Sequence, residues 1–363
     1  MTQENKDILL KLLKQHKELG ISEQIDYDKF YLYSIITHST AIEGSTVTEV
    51  EAQLLFDEGI TSSKRTMVEQ MMNLDLKVAY EYGMQWIRKH DTITIEWLVT
   101  LASKVMARTG SEYHSPGGDF DASKGELRKL NVTAGIGGKS YMSYLKVPMK
   151  LQAFCEELNR RRSEIDPSDI AAVYELSFWA HFELVTIHPW ADGNGRTCRL
   201  LMNLLQMEYG VLPTKVLKED KAEYIQALID TREEEDMEIF LNCMSRLHCQ
   251  HLRYDIDQYL KSADAEMNST TQKNEITTQK AQGTTQKTLN TTQKKILNYL
   301  KEHPHATRKD MAAVIGDITE DGIKFNIGKL QQYGRLKREG GRKSGTWVVI
   351  DNDIFSRNIS VSS

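Results

Sequence analysis

The segment His188-Pro189-Trp190-Ala191-Asp192-Gly193-Asn194-Gly195-Arg196-Thr197-Cys198-Arg199 gathers a base, a carboxylate, a two-glycine turn, an amide and two arginines. Gly193 and Gly195 flank Asn194 without side-chain bulk, so backbone N–H groups there can turn together toward an anion. Leu200, Leu201, Leu204, Leu205 and Met207 follow at helical spacing. The glycines then sit at a helix N-terminus, where orphan N–H groups and the dipole favour phosphate. Arg196 and Arg199 are three apart and share a helical face, a fork for bound phosphates. Asp192 is a hard oxygen ligand for the Mg²⁺ that accompanies phosphates. His188 is a candidate general base near neutral pH. Singly, a His-Pro is a helix boundary and a Gly-Asn-Gly a tight turn. Together they are hard to explain as structure, because two arginines converging on one loop are costly with only Asp192 to offset them. The chemistry indicated is that of nucleotide phosphates.

The string resembles the signature of the Fic family, His-x-Phe-x-(Asp/Glu)-Gly-Asn-Gly-Arg-x-x-Arg. It matches at every polar and glycine position, and Trp190 stands where Phe is usual. The resemblance implies transfer of AMP from ATP onto a protein hydroxyl, with Mg²⁺ as cofactor. It implies His188 as the base, Asp192 as the Mg²⁺ ligand, Gly193, Asn194, Gly195 and Arg196 around the phosphates, and Arg199 on the γ-phosphate. The residues Gly125 to Gly135 resemble the Fic flap, a hairpin that holds an extended target segment by backbone pairing. Arg128, Val132 and Gly135 are its expected target-docking residues. Gly135 to Ser140 also looks like the tail of a Walker A loop, but Thr133 stands where the first glycine is required.

Upstream, Tyr27, Phe30, Tyr31 and Ile35 recur at helical spacing, and Gly44 supplies a stop. Ser39 and Glu43 project from one face near that helix's end, where the dipole disfavours a carboxylate and suggests a partner. Ser39-Thr40-Ala41-Ile42-Glu43-Gly44 resembles the Fic inhibitory helix, (Ser/Thr)-x-x-x-Glu-(Gly/Asn). That resemblance implies that Glu43 pairs with Arg199 and blocks the productive γ-phosphate pose, with Ser39 supporting the helix end.

These motifs need a scaffold, and 363 residues suffice for two or more domains. The expected fold is mainly α: a Fic-type helical core with a short β-hairpin flap, plus a small C-terminal winged helix (α+β) domain. Residues 1–110 read as an N-terminal helical region with the inhibitory helix at about 27–44. Residues 111–260 read as the catalytic core, with the flap at about 125–138 where helical period lapses. Two stripes are expected in the core, Met67, Met71, Leu74, Val78 and Tyr82, and Val173, Leu176, Ser177, Ala180 and Leu184. His181 is expected as a core residue, too far from His188 along a helix to share a metal with it.

Residues 261–290 read as a polar linker in which Thr-Thr-Gln-Lys recurs with a period of seven, at Thr270, Thr277, Thr284 and Thr291, without an apolar seam. Residues 291–355 read as a winged helix-turn-helix: three helices, then strands at 335–338 and 346–350 around a glycine-rich wing. From Thr291 onward 13 Lys/Arg face 8 Asp/Glu, about +5 against −5 for the whole chain. Lys324, Lys329 and a basic wing suit phosphate contacts, while Glu320 and Asp321 oppose them. DNA and protein partners are thus both open for this domain.

No stretch approaches the 18 or more apolar residues of a membrane span, and the start of the chain lacks an apolar signal region, so no membrane partner is expected. Four cysteines form no CxxC pair, which fits a reduced, cytoplasmic setting. A homodimer that hides the inhibitory helix and self-modification both fit the reading. Two rivals stand beside it: removal of AMP from a modified protein, and a nucleotide-sensing DNA-binding transcriptional regulator.

Overall fold

The computed structural model describes residues 1–24, 26–133, 140–274, 291–315, 320–332, 335–339 and 346–350. The chain divides into two compact units, Met1–Lys273 and Asn274–Ser363. In the first, α1 (Gln3–Glu18), α2 (Tyr27–Ile42), α3 (Glu49–Glu58), α4 (Met67–Ile87) and α5 (Ile95–Val105) precede a short hairpin of β1 (Glu112–Tyr113) and β2 (Phe120–Asp121). Then come α6 (Val147–Glu164), α7 (Ile170–Ile187), α8 (Asn194–Glu208), α9 (Lys221–Glu234) and α10 (Met237–Asn274). Residues 1–110 and 111–260, distinct in the sequence reading, form one packed unit, because α4 and α5 bury their apolar faces against α8.

The pair α7–α8 is the centre of this unit. Val173, Leu176, Ser177, Ala180 and Leu184 are all buried on α7. This helix is 18 residues long with a mean hydropathy of 1.2, enough by length and composition alone to cross a membrane. No unbroken apolar run is expected here because Glu175, His181 and Glu183 interrupt it. Two-thirds of the helix is buried inside the protein, and the other helices cover it as a core element. Ser177, His181 and Gln206 are buried between the helices around it, with Gln206 donating to Ser177 Oγ at 2.9 Å.

The α4 stripe differs from its expectation. Met67 and Val78 are exposed, and the buried face is Gln70, Asn73, Leu76, Ala79, Tyr80 and Gly83. Two requirements rotate the helix. Thr66 and Glu69 form a capping box that fixes its start, and Gly83 lets Leu204 of α8 come so close that any Cβ would clash with it. Buried Asn73 is matched by Thr40 and Ser45, so its polarity is satisfied inside the protein.

Helix boundaries follow local chemistry. Thr48 caps α3 with a second capping box, Thr94 caps α5, and Asp169 caps α7. α2 stops at Ile42, with Gly44 at φ +104° turning the chain away. The four cysteines are free and buried. α10 runs past Ser262 to Asn274, into the segment expected to be a linker, and residues 275–290 of that segment fall outside the described residues.

The second unit consists of α11 (Thr291–Glu302), α12 (Arg308–Ile315), α13 (Glu320–Gln332), β3 (Leu336–Glu339) and β4 (Thr346–Val349). The strands pair antiparallel with Leu336 opposite Val349. Ile296, Leu300, Met311, Ile323, Ile327, Leu330, Leu336 and Trp347 form its own core. The expected wing tip, 340–345, lies outside the described residues.

Candidate active site

His188 ends α7. Its backbone is left-handed, φ 52°, an uncommon conformation for a residue other than glycine. The conformation persists because Pro189 cannot continue the helix and because the neighbouring carbonyls are anchored. Arg128 Nε donates to His188 O at 2.7 Å, and Arg128 N donates to Pro189 O at 2.9 Å. The imidazole Nδ1 lies 3.3 Å from Val185 O. With Nδ1–H donating there, Nε2 carries the lone pair. Burial pushes the His188 pKa down to about 4, against the Val185 carbonyl, and Arg128 and Arg232 act in the same direction as burial. The imidazole is therefore neutral near pH 7, as a base must be.

The loop from Trp190 to Gly193 is closed by Asn194. Its Oδ1 accepts from Trp190 N at 3.1 Å and its Nδ2 donates to Trp190 O at 2.8 Å. The Asn194 side chain thus shapes the loop. Trp190 is buried and its indole N–H donates to Gly125 O at 2.9 Å. A phenylalanine cannot make that bond, so the one departure from the signature ties the motif to the base of the flap.

Gly193 is the N-cap of α8 at φ +79°, and a Cβ there would meet Met106 Sδ at 2.6 Å. Asp192 Oδ1 accepts from Gly193 N at 2.5 Å, while the carboxylate remains 56% exposed at the mouth of the site. Among the described residues no cluster of three or more His, Cys, Asp or Glu could hold a metal. Asp192 is the exposed carboxylate at this mouth that could hold a metal, as one protein ligand beside others from phosphates and water.

The two arginines diverge rather than forming one fork. Arg196 is buried, with Nη2 3.1 Å from Met106 Sδ and 3.5 Å from Asp192 Oδ1. Its Nε and Nη1 are buried without any partner among the described residues. Arg199 turns toward α2: Nε donates to Ser39 Oγ at 2.9 Å, and Nη2 donates to Ser39 O at 2.9 Å and to Glu43 Oε1 at 2.6 Å. Glu43 is the C-cap of α2. Its carboxylate lies over the first turn of α8, so that a Cβ on Gly195 would be 2.5 Å from Oε1. Burial alone would raise the Glu43 pKa; Arg199, with Arg196 and Lys221, holds it below the ordinary value.

The flap is a hairpin with Thr133 bridged to Ser140 and Tyr141 N donating to Val132 O at 3.0 Å. Its second arm reaches Tyr141, three residues beyond the expected end. Gly135 and the rest of the tip, 134–139, lie outside the described residues. Arg128 does not face a target. It is buried, with Nη1 on Leu130 O and Nη2 on Met142 O, so its guanidinium holds the two ends of the flap together.

Four contributors were not found from the sequence. Met106 floors the glycine turn, and Tyr141 stacks on His188. Lys221 Nζ donates to Ile42 O, the last carbonyl of α2, at 2.7 Å. Tyr224 is bonded to His181 Nε2 at 2.9 Å and backs Arg199. His181 is fully buried, and burial pushes its pKa down to about 3. Tyr141 is an aromatic three residues past the expected end of the flap, the only one of the four with a local signal.

Residues 92–206 match the model of the Fic/DOC family. Protein adenylyltransferase fic-1 of Caenorhabditis elegans is 28% identical over 204 residues, which cover 55% of this chain and 36% of that protein. Protein adenylyltransferase Fic of Drosophila melanogaster is 31% identical over 216 residues, 59% of this chain and 39% of that protein. The matched region spans well under half the length of these relatives. Among solved structures, a Fic domain containing signaling protein from Bacteroides thetaiotaomicron superposes with a TM-score of 0.58 at 21% identity, covering 70% of this chain and 98% of that one. Fic-1 from C. elegans gives a TM-score of 0.55 at 22% identity, covering 72% and 73%. These likenesses show the fold. Residues 92–206 of this chain thus match the Fic/DOC family, and the likeness of the larger helical unit to these structures is one of fold.

Proposed function

We propose that this chain is a protein adenylyltransferase that moves AMP from Mg·ATP onto a side-chain hydroxyl of a target protein, and that Glu43 holds it inactive. The observation that carries the reading is Arg196, a buried guanidinium with two donors unpartnered at a helix N-terminus. Nη2 reaches Asp192 only at 3.5 Å, so leaving Nε and Nη1 buried without acceptors is expensive, and a phosphate is the ligand whose charge and oxygens would satisfy them. The Glu43 carboxylate stands over the same helix turn, an anion already in the place of an anion.

In this reading the target's extended segment pairs along the flap and brings its hydroxyl to His188 Nε2. The hydroxyl oxygen attacks the α-phosphorus as its proton passes to Nε2. The bond from the α-phosphorus to the bridging oxygen breaks, and pyrophosphate leaves in line. The N–H groups of Gly193, Asn194 and Gly195, with Arg196, meet the phosphate charge. Asp192 would hold Mg²⁺, which supplies further charge neutralisation when bound. Arg199 is reserved for the γ-phosphate and is masked while Glu43 and Ser39 occupy it. We read the second unit as a winged helix that selects a partner, with Lys337 and Arg338 exposed on its hairpin.

The test is transfer of label from ATP marked at the α-phosphorus, with Mg²⁺ and cell extract, to protein. Glu43→Gly should label protein strongly, wild type weakly, and Glu43→Gly/His188→Ala not at all. No label from Glu43→Gly despite ATP binding would refute transfer, and free AMP released from a modified protein would instead point to the reverse reaction.

A further inference from the structure

The base itself is weakly held. Among the described residues the His188 imidazole has one long hydrogen bond, Nδ1 to Val185 O at 3.3 Å. Such a bond leaves the ring free to swing about its Cβ–Cγ bond, and a base displaced by an ångström can lose a hundredfold in rate. Among the described residues a second restraint is aromatic. The Tyr141 ring lies over the imidazole with centroids 3.8 Å apart and planes within 17° of parallel. Tyr141 is in turn held on two sides of its own chain. Its N–H donates to Val132 O across the flap, and the Arg232 guanidinium, at the end of α9, lies 5.5 Å from its ring centroid. Arg232 is fixed by Nε donating to Leu228 O at 2.8 Å.

We propose that Tyr141 is a positioning residue for the base: its stack on His188 fixes the imidazole plane and so aims Nε2 at the acceptor hydroxyl. The inference rests on His188 being the base in the proposed transfer. It also joins two parts of the site that otherwise act separately. Tyr141 belongs to the arm that pairs with Val132, so the element along which a target strand would pair also braces the base. The hydroxyl of Tyr141 has no part in this; only the ring does.

The experiment uses the full chain in the Glu43→Gly background, with Tyr141→Leu and Tyr141→Phe, and two readouts. Protein labelled with ¹³C-histidine is observed by NMR, the His188 signal being assigned by its loss in His188→Ala. The stack should shift the His188 ring protons upfield by the tyrosine ring current. Tyr141→Leu should return them toward the ordinary range, and Tyr141→Phe should not. In transfer assays kcat should fall about 10- to 100-fold in Tyr141→Leu with KM for ATP nearly unchanged, and Tyr141→Phe should restore it. Full kcat in Tyr141→Leu, or a His188 signal that is unshifted in the parent chain, would overturn the proposal. If the Glu43→Gly chain transfers nothing, the adenylyltransferase reading fails by itself. The His188 signal then decides the stack, supporting it if Tyr141→Leu moves that signal and overturning it if not.

Discussion

Glu43→Gln removes one charge from the site and almost nothing else, so its effect can be worked out. Arg199 is 4% exposed in its side chain and Glu43 32%. Stripping one partner from a fully buried ion pair costs about 3–5 kcal/mol. Here the carboxylate is partly in water, and Arg199 keeps its two bonds to Ser39, so about 2 kcal/mol is expected. For a unit of this size that is a fall in midpoint of about 5 °C. Nucleotide should reverse it. In the wild type, a phosphate reaching Arg199 must break its ion pair with Glu43 and gains little; in Glu43→Gln, it displaces only a neutral amide. At 100 times its Kd, ATP adds about 2.7 kcal/mol, enough to cancel the loss. Thermal unfolding followed by tryptophan fluorescence reports mainly on the first unit, which holds Trp86, Trp97, Trp179 and Trp190, while Trp347 lies in the second. The apo variant should melt below wild type and the MgATP-bound variant level with it. The difference also has a pH signature. The folded Glu43 pKa is depressed below 4.5, so the pair's contribution is complete above 4.5 and is lost as pH falls through the lower folded value. An apo variant as stable as wild type, or equal gains from MgATP in both chains, would refute this account of Glu43.

Three further outcomes follow from the same geometry. Because His188 titrates near 4, kcat/KM of Glu43→Gly should hold steady from pH 7 down to 5; initial rates across pH 4–8 check this, and an acid limb near 6.5 would contradict it. Lys221→Gln removes a cation from the last carbonyl of α2, worth about 0.3–1 kcal/mol, so the wild-type chain should gain about 2- to 5-fold in label transfer. The same change should do nothing in Glu43→Gly, where there is no inhibition to relax. Trp190→Phe loses the indole bond to Gly125 O and opens space at a buried position, so chemical denaturation should show a loss of about 2 kcal/mol.

Much of the site was legible because its parts are contiguous. His188 to Arg199 spans one helix end, one turn and one helix start, so local stereochemistry already places base, carboxylate and N-terminal N–H groups within a few residues. The pattern of Ser39 and Glu43 on one face was readable for the same reason, as was the α7 stripe. Errors arose where a local pattern was taken to fix direction in space. Arg196 and Arg199 share a helical face yet turn to different partners, since Met106 and Asp192 hold one and α2 the other. Arg128 lies in the flap sequence, but its guanidinium is buried against three carbonyls. On α4 the apolar stripe lost to a polar face, because Asn73 finds partners in Thr40 and Ser45 and Gly83 admits Leu204.

The sequence by itself therefore determined the groups on offer: an imidazole at a helix end, a glycine-flanked helix start, a carboxylate beside it and a helix ending in a lone glutamate. Only the tertiary structure decided which charge meets which. Glu43 reaches Arg199 across 156 residues, and Lys221 reaches Ile42 across 179. Contacts over such separations leave no periodic trace in the chain, because they depend on how whole helices pack. The same holds for the pKa of His188, which is set by burial, a property of the fold and not of the residue.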